Sequence, residues 1–136
     1  SNTEVADILR DYRDYTMICA GVFDDMVATL VLENKEAILE RNRQIVEENL
    51  ALMDEWIAKE PKASWIRPAS VSTSFVKLDV NRPIEDFALE LLQDYGVLVV
   101  PGNRFDKESH VRIGYCCDKE VLQKGLEKLS QFLNKC

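Results

Sequence analysis

The sequence has few of the residue types on which most active sites are built. It contains one histidine, His110, and four cysteines, at positions 19, 116, 117 and 136, which lack the paired spacing of a zinc site. The motifs of serine hydrolases, zinc proteases, phosphate-binding loops and dinucleotide-binding turns are all missing. We therefore expect no metal site and no catalytic nucleophile with its base in this chain, and we expect the cysteines to be reduced thiols.

Basic residues and long apolar runs are also scarce. Seventeen Lys and Arg residues stand against 24 Asp and Glu residues, a net charge of −7. No basic run forms a surface for phosphates, which argues against nucleic acid and anionic membranes as partners. The apolar runs are far shorter than the roughly 20 residues that span a bilayer, and no basic segment with an apolar stretch opens the chain. We expect a soluble, cytoplasmic protein.

Apolar periodicity predicts the secondary structure of what we expect to be a single domain, residues 1–136. Helical spacing predicts five helices: 3–14, a second that begins near Asp24 and ends near Asn34, 35–60, 83–95 and one from Asp118. Strand-forming residues predict three strands, at 72–80, 97–100 and 110–116. This order predicts an α+β fold, in which helices cover a small, mainly antiparallel, three-stranded sheet and one helix near the N-terminal end is long.

Several residues mark the ends of these elements. Pro61 ends the long helix, and Pro83 suits the first turn of the next one. Gly96 supplies a left-handed stop, and Asp118 is a typical N-terminal cap. Within the long helix, Trp56 belongs to the apolar stripe and is expected to pack in the core.

Arg112 is the residue that this pattern leaves unexplained. Side chains alternate along a strand, so Arg112 shares a face with His110 and Gly114, opposite Val111 and Ile113. It could be a solvent-facing arginine paired with an acid, which periodicity alone favours. It could also be a rigidly mounted guanidinium that binds a ligand carboxylate through two parallel hydrogen bonds. His110 is interpreted as a partly exposed polar residue rather than a base.

The order of the motifs resembles the C-terminal part of class I/II aminotransferases, fold-type I enzymes that use pyridoxal phosphate (PLP). The segment "GVLVVPGNRF", a spacer of five residues and "VRIGY" are similar to the family's Pro-Gly turn, the Phe that follows it and its later Arg-Ile-Gly strand. Upstream, "RDYRDYTMI" resembles the family's segment after the cofactor lysine. "NKEAILERNRQIVEENLALMDEWI" resembles its long helix into the small domain, and "STSFVKLDV" its first small-domain strand. The resemblance covers essentially the whole chain.

The resemblance implies a substrate site without its cofactor. Arg112 takes the family's role of binding the substrate α-carboxylate, and Pro101, Gly102 and Phe105 match the loop that shapes the edge of the pocket. Arg104, in the same turn, is expected to face solvent. No lysine of this chain matches the one that carries PLP in the family, so the cofactor is implied for the full-length enzyme and not for these residues.

The resemblance also implies a larger protein. The chain would be the small C-terminal domain, with residues 1–34 leading out of a missing N-terminal cofactor domain, and it would be inactive alone. The full-length enzyme would be a homodimer that acts on an amino acid and a 2-oxo acid, and the fragment would expose apolar surface near residues 5–31. Two alternatives stay open: a related PLP-dependent lyase or synthase on the same scaffold, and a free-standing module that binds a carboxylate through Arg112.

Overall fold

The computed structural model describes residues 2–17, 19, 21–69 and 71–135, and the chain divides into two compact units, Ser1–Leu39 and Glu40–Cys136. The described residues form five α-helices, four strands and one short 3-10 helix. In chain order these are α1 (Thr3–Thr16), α2 (Val22–Glu33), α3 (Lys35–Lys59), β1 (Ala63–Trp65), β2 (Thr73–Leu78), α4 (Ile84–Tyr95), β3 (Val100–Pro101), the 3-10 helix (Gly102–Phe105), β4 (His110–Gly114) and α5 (Lys119–Leu133).

The first unit contains α1 and α2. The Asn2 side chain caps α1 by accepting a hydrogen bond from the backbone N–H of Val5 at 3.3 Å. Within α1 and α2 no side chain is buried, and Phe23 is 83% exposed. The described apolar residues near 5–31 are thus exposed, as expected. Positions 18 and 20 lie outside the described residues.

The second unit contains an antiparallel sheet of four strands in the order β1-β2-β4-β3. The prediction of three strands is wrong. The strand that was missed, β1, has only three residues, which is too short to show an alternating pattern. The strand predicted at 97–100 is shorter and lies later, at Val100–Pro101. Pro101, which has no N–H to donate, is tolerated there because β3 is an edge strand.

The α+β fold is confirmed, with the core on one face of the sheet. Val76, Leu78 and Val111 are 0 to 1% exposed and belong to one cluster with apolar side chains of α3, α4 and α5. The other face carries Phe75 and Arg112, which are direct partners across β2 and β4. Phe75 therefore lies opposite the core, because β2 buries the alternate positions.

The helix ends predicted at Gly96 and Asp118 are confirmed, whereas Pro83 lies at the N-cap of α4 and not in its first turn. Gly96 follows α4 with φ 66°, the left-handed conformation that favours glycine. The Asp118 side chain accepts from the N–H of Glu120 at 2.9 Å. Trp56 is a core residue as predicted, and its Nε1 donates to Ser130 Oγ at 2.8 Å.

Candidate functional site

Arg112 lies on the open face of β4 with its charge unpaired among the described residues. Its neighbours in sequence, Val111 and Ile113, are buried, while Arg112 and Gly114 are exposed, as the alternation predicted. The guanidinium carbon lies 5.5 Å from the centre of the Phe105 ring. No described carboxylate lies within ion-pair distance of it, so the acid partner that periodicity favoured is not present in this part of the chain.

The Phe105 ring beneath this guanidinium belongs to a group of three rings. Phe75 contacts the edge of Phe105 at a centroid distance of 5.7 Å and an interplanar angle of 85°. On its other side Phe75 stacks on His110, at 5.0 Å and 16°. We call Phe75, Phe105 and His110 the aromatic cluster. Because Phe75 and Arg112 are paired across the sheet, the strand register itself brings this cluster to the arginine.

Phe105 reaches this position from the 3-10 helix, which packs tightly on the loop that leads into β4. The N–H of Lys107 donates to the carbonyl of Gly102 at 3.0 Å. A Cβ atom on Gly102 would lie 2.2 Å from the carbonyl oxygen of Lys107 and 2.5 Å from that of His110. Only glycine leaves room for this approach, and Asp106, with φ 56°, turns the chain back toward β4.

The 3-10 helix is also tethered to the first turn of α4. Asn103 Nδ2 donates to Glu85 Oε2 at 2.8 Å, and Arg104 forms an ion pair with Glu85 Oε1. Arg104 is exposed, so its expected position at the surface is consistent with the structure, but its charge is satisfied by Glu85. Of the two arginines near Phe105, only Arg112 lacks an acidic partner among the described residues.

The end of β4 is held by a buried amide of α3. Asn49 is 1% exposed, and its Nδ2 donates to the carbonyl oxygens of Tyr115 at 2.7 Å and Cys117 at 2.8 Å. The Tyr115 hydroxyl donates to the carbonyl of Val71, just before β2. These bonds join the strand that carries Arg112 to a helix and to the neighbouring strand.

His110, the third ring of the aromatic cluster, stacks on Phe75 and has a lowered pKa. Partial burial lowers the pKa of His110 below its usual 6.5, and Lys107 and Lys77 lower it further. Its Nδ1 is buried and has no hydrogen-bond partner among the described residues. A lowered pKa favours the neutral form of the imidazole.

The face around Arg112 can bind a planar anion. Arg112 and Gly114 are both exposed on this face, and a Cβ atom added at Gly114 would meet nothing within 4 Å. A planar guanidinium on a strand, with no hydrogen bond to another described side chain, has the geometry that matches a carboxylate through two hydrogen bonds. The structure brings together Arg112, Phe105 and the turn of Pro101 and Gly102, all of which the sequence had singled out.

Phe75 is the member of this site that sequence reasoning missed. The signal was present, because Ser74, Val76 and Leu78 alternate with it and only one of the two alternating sets can face the core. The alternating positions that include Phe75 looked apolar because Phe75 has a large aromatic ring. The role of Glu85 had no sequence signal, because it depends on the packing of α4 beside the 3-10 helix.

The described residues offer neither a cluster for a metal ion nor a membrane-spanning helix. No group of three or more His, Cys, Asp and Glu side chains in this part of the chain could hold a metal ion. Cys19, Cys116 and Cys117 are free thiols, and Cys136 lies outside the described residues. Among the helices described, none has the length and hydropathy needed to cross a membrane.

Comparisons with known proteins agree on one family. The model of the family "Aminotransferase class I and II" matches residues 1–129. Over 99% of this chain, a PLP-dependent aminotransferase from Streptococcus suis 89-1591 is 65% identical, with a TM-score of 0.92, and the match covers 36% of that chain.

Two curated relatives match nearly the full chain at lower identity. Capreomycidine synthase of Streptomyces vinaceus is 28% identical over 130 residues, 95% of this chain and 33% of the relative. A probable N-acetyl-LL-diaminopimelate aminotransferase of Bacillus subtilis is 26% identical over 141 residues, 97% of this chain and 34% of the relative. The chain thus spans about a third of the length of the relatives it matches.

Proposed function

This chain belongs to the class I and II aminotransferase family, and we propose that it is the C-terminal, substrate-binding small domain of a PLP-dependent aminotransferase. The whole enzyme would transfer an amino group between an amino acid and a 2-oxo acid. The observation that carries the proposal is the exposed guanidinium of Arg112, which lies over the Phe105 ring with no acidic partner among the described residues.

In this proposal Arg112 binds the α-carboxylate that amino acids and 2-oxo acids share. Fixing that carboxylate orients the substrate and so selects the bond at Cα that reacts. The turn of Pro101 and Gly102, with Phe105, shapes the edge of the pocket. A small domain that closes over its substrate would also exclude water from the reaction.

The residues of this chain do not fit the attachment point of PLP. A lysine that forms a covalent bond with a carbonyl is activated by loss of solvent or by a neighbouring cation. Eight of the nine lysines are exposed, and the ninth, Lys62, donates its amine to the carbonyl of Leu133 at 2.7 Å. In the whole enzyme, PLP would supply the electronic chemistry of amino transfer, and residues outside this chain would hold it.

The same proposal includes the partners of the domain. About two thirds of the length of the relatives has no counterpart here, and this part would contain the N-terminal cofactor domain, out of which residues 1–34 lead. The exposed apolar side chains of α1 and α2 are the surface expected where such a domain has been removed. The full-length enzyme would be a homodimer, and a cytoplasmic location remains an expectation from the sequence.

A comparison of the fragment with the full-length enzyme tests the proposal. The 136-residue chain should show no visible absorbance after incubation with PLP and removal of the excess, and no amino transfer with any pair of amino acid and 2-oxo acid. The full-length protein should show both. In the full-length protein, Arg112→Met should raise the KM for both substrates, by about 10²-fold if a charge-assisted pair worth about 3 kcal/mol is lost. Stable PLP binding or turnover by the fragment would contradict the assignment.

A related synthase is the second candidate, because capreomycidine synthase matches 95% of this chain. Analysis of the products of the full-length protein separates the two activities. A transaminase yields a new amino acid and a new 2-oxo acid in equal amounts, whereas a cyclising synthase or a lyase does not yield these two products together. The free-standing module predicts a third result, in which no reading frame for a cofactor domain precedes the chain.

A further inference from the structure

Arg112 contacts an aromatic ring and no described carboxylate. We propose that Phe105 is a positioning residue for Arg112: its ring holds the guanidinium in the orientation that accepts the substrate carboxylate, and leaves its charge available. This inference rests on the proposed function of Arg112 and adds to it a residue that contacts the arginine at 5.5 Å.

The chemistry of the contact explains why a ring suits this task better than a carboxylate. A carboxylate within hydrogen-bond distance would occupy the same donors that a substrate carboxylate needs, and the two would compete. The face of an aromatic ring attracts a cation without using its N–H donors. The guanidinium over Phe105 is therefore oriented while its N–H groups remain free for a ligand.

The ring can orient Arg112 only if it is itself fixed, and three observations show that it is. Phe75 packs against it edge to face at 5.7 Å. Gly102 seats the 3-10 helix directly on the carbonyls of the loop before β4. Glu85 Oε2, in the first turn of α4, accepts a hydrogen bond from Asn103 Nδ2 at 2.8 Å. Phe105 is thus attached to the sheet and to α4.

A guanidinium ordered in advance binds its ligand more tightly, because less rotamer entropy is lost on binding. The entropic free energy lost when a long side chain is ordered corresponds to about a two- to ten-fold change in affinity. Since the amino acid and the 2-oxo acid carry the same carboxylate, loss of the ring should weaken both by the same factor. It should not change the preference among substrate side chains.

The test uses the full-length enzyme loaded with PLP and propionate as a competitive inhibitor, because propionate carries a carboxylate and no amine. Phe105→Leu should raise the Ki of propionate and the KM of both substrates by about two- to ten-fold, with a smaller change in kcat. Phe105→Tyr, which keeps the ring, should restore the parent values. The control Lys135→Ala removes another cation–ring contact, to Tyr95 at 5.0 Å, and should leave the Ki unchanged.

Phe105 is 46% exposed, so its replacement should leave the fold intact, and Phe105→Met serves as a second ring-free variant. In an Arg112→Met background Phe105→Leu should have no further effect on the Ki, because the ring acts only through the arginine. If Arg112→Met left the Ki unchanged, the proposed carboxylate site would be wrong. If Arg112→Met raised the Ki and neither ring-free variant did, the positioning role of Phe105 alone would be refuted.

Discussion

Replacing Gly102 by alanine tests how the 3-10 helix is seated against the start of β4. The new Cβ would lie 2.2 Å from the carbonyl oxygen of Lys107 and 2.5 Å from that of His110. Both distances are roughly 1 Å short of a normal van der Waals contact. Both oxygens belong to the backbone, so no side-chain rotation relieves the overlap, and the loop must move. Overpacking of this kind costs about 1–3 kcal/mol, and we expect the upper part of that range.

Urea unfolding of the 136-residue chain, followed by circular dichroism, measures this cost as a lower midpoint with an unchanged slope. Gly125→Ala makes the same chemical change in the middle of α5, where a Cβ would meet nothing within 4 Å. We expect that control to be more stable than the parent by about 0.5–1 kcal/mol, because glycine is the poorer helix former. If Gly102→Ala proved as stable as the parent, the close approach of the 3-10 helix to β4 would be wrong.

Three further predictions concern the groups around the site. Asn49→Ala should lower the free energy of unfolding by about 2–4 kcal/mol, because it leaves the carbonyls of Tyr115 and Cys117 without their donor; equal urea midpoints would contradict this. An NMR titration of His110, the only histidine, should show a pKa below the usual 6.5, from burial first and nearby lysines second. Because the unfolded chain then binds the proton more tightly than the folded chain, protonation of His110 destabilises the fold. The stability that neutral His110 contributes is therefore present above pH 6.5 and lost as the pH falls below it; a raised pKa would refute the assignment. Glu85→Ala removes the acceptor shared by two side chains of the 3-10 helix and should cost about 0.5–1 kcal/mol, and a thermal melt without any shift would show that the tether is not stabilising.

Much of the fold could be predicted because its signals are local. Gly96 ends α4 and Asp118 begins α5 where the sequence placed them, since a left-handed residue and an N-terminal cap act on their own helix ends. The position of Arg112 on the exposed face of β4 followed from alternation alone. The short strand β1 was missed, because three residues gain their strand conformation from pairing with β2 and not from their own pattern.

The candidate site shows the same division. The resemblance to the family selected Arg112, the turn of Pro101 and Gly102, and Phe105 as parts of a proposed substrate site. Whether Arg112 had an acidic partner was decided only by the folded structure. The register of β2 against β4 places the ring of Phe75 beside the arginine, and the packing of α4 gives Glu85 to Arg104 instead. Charge pairing depends on distances between residues that are far apart in sequence, and only the tertiary structure sets those distances.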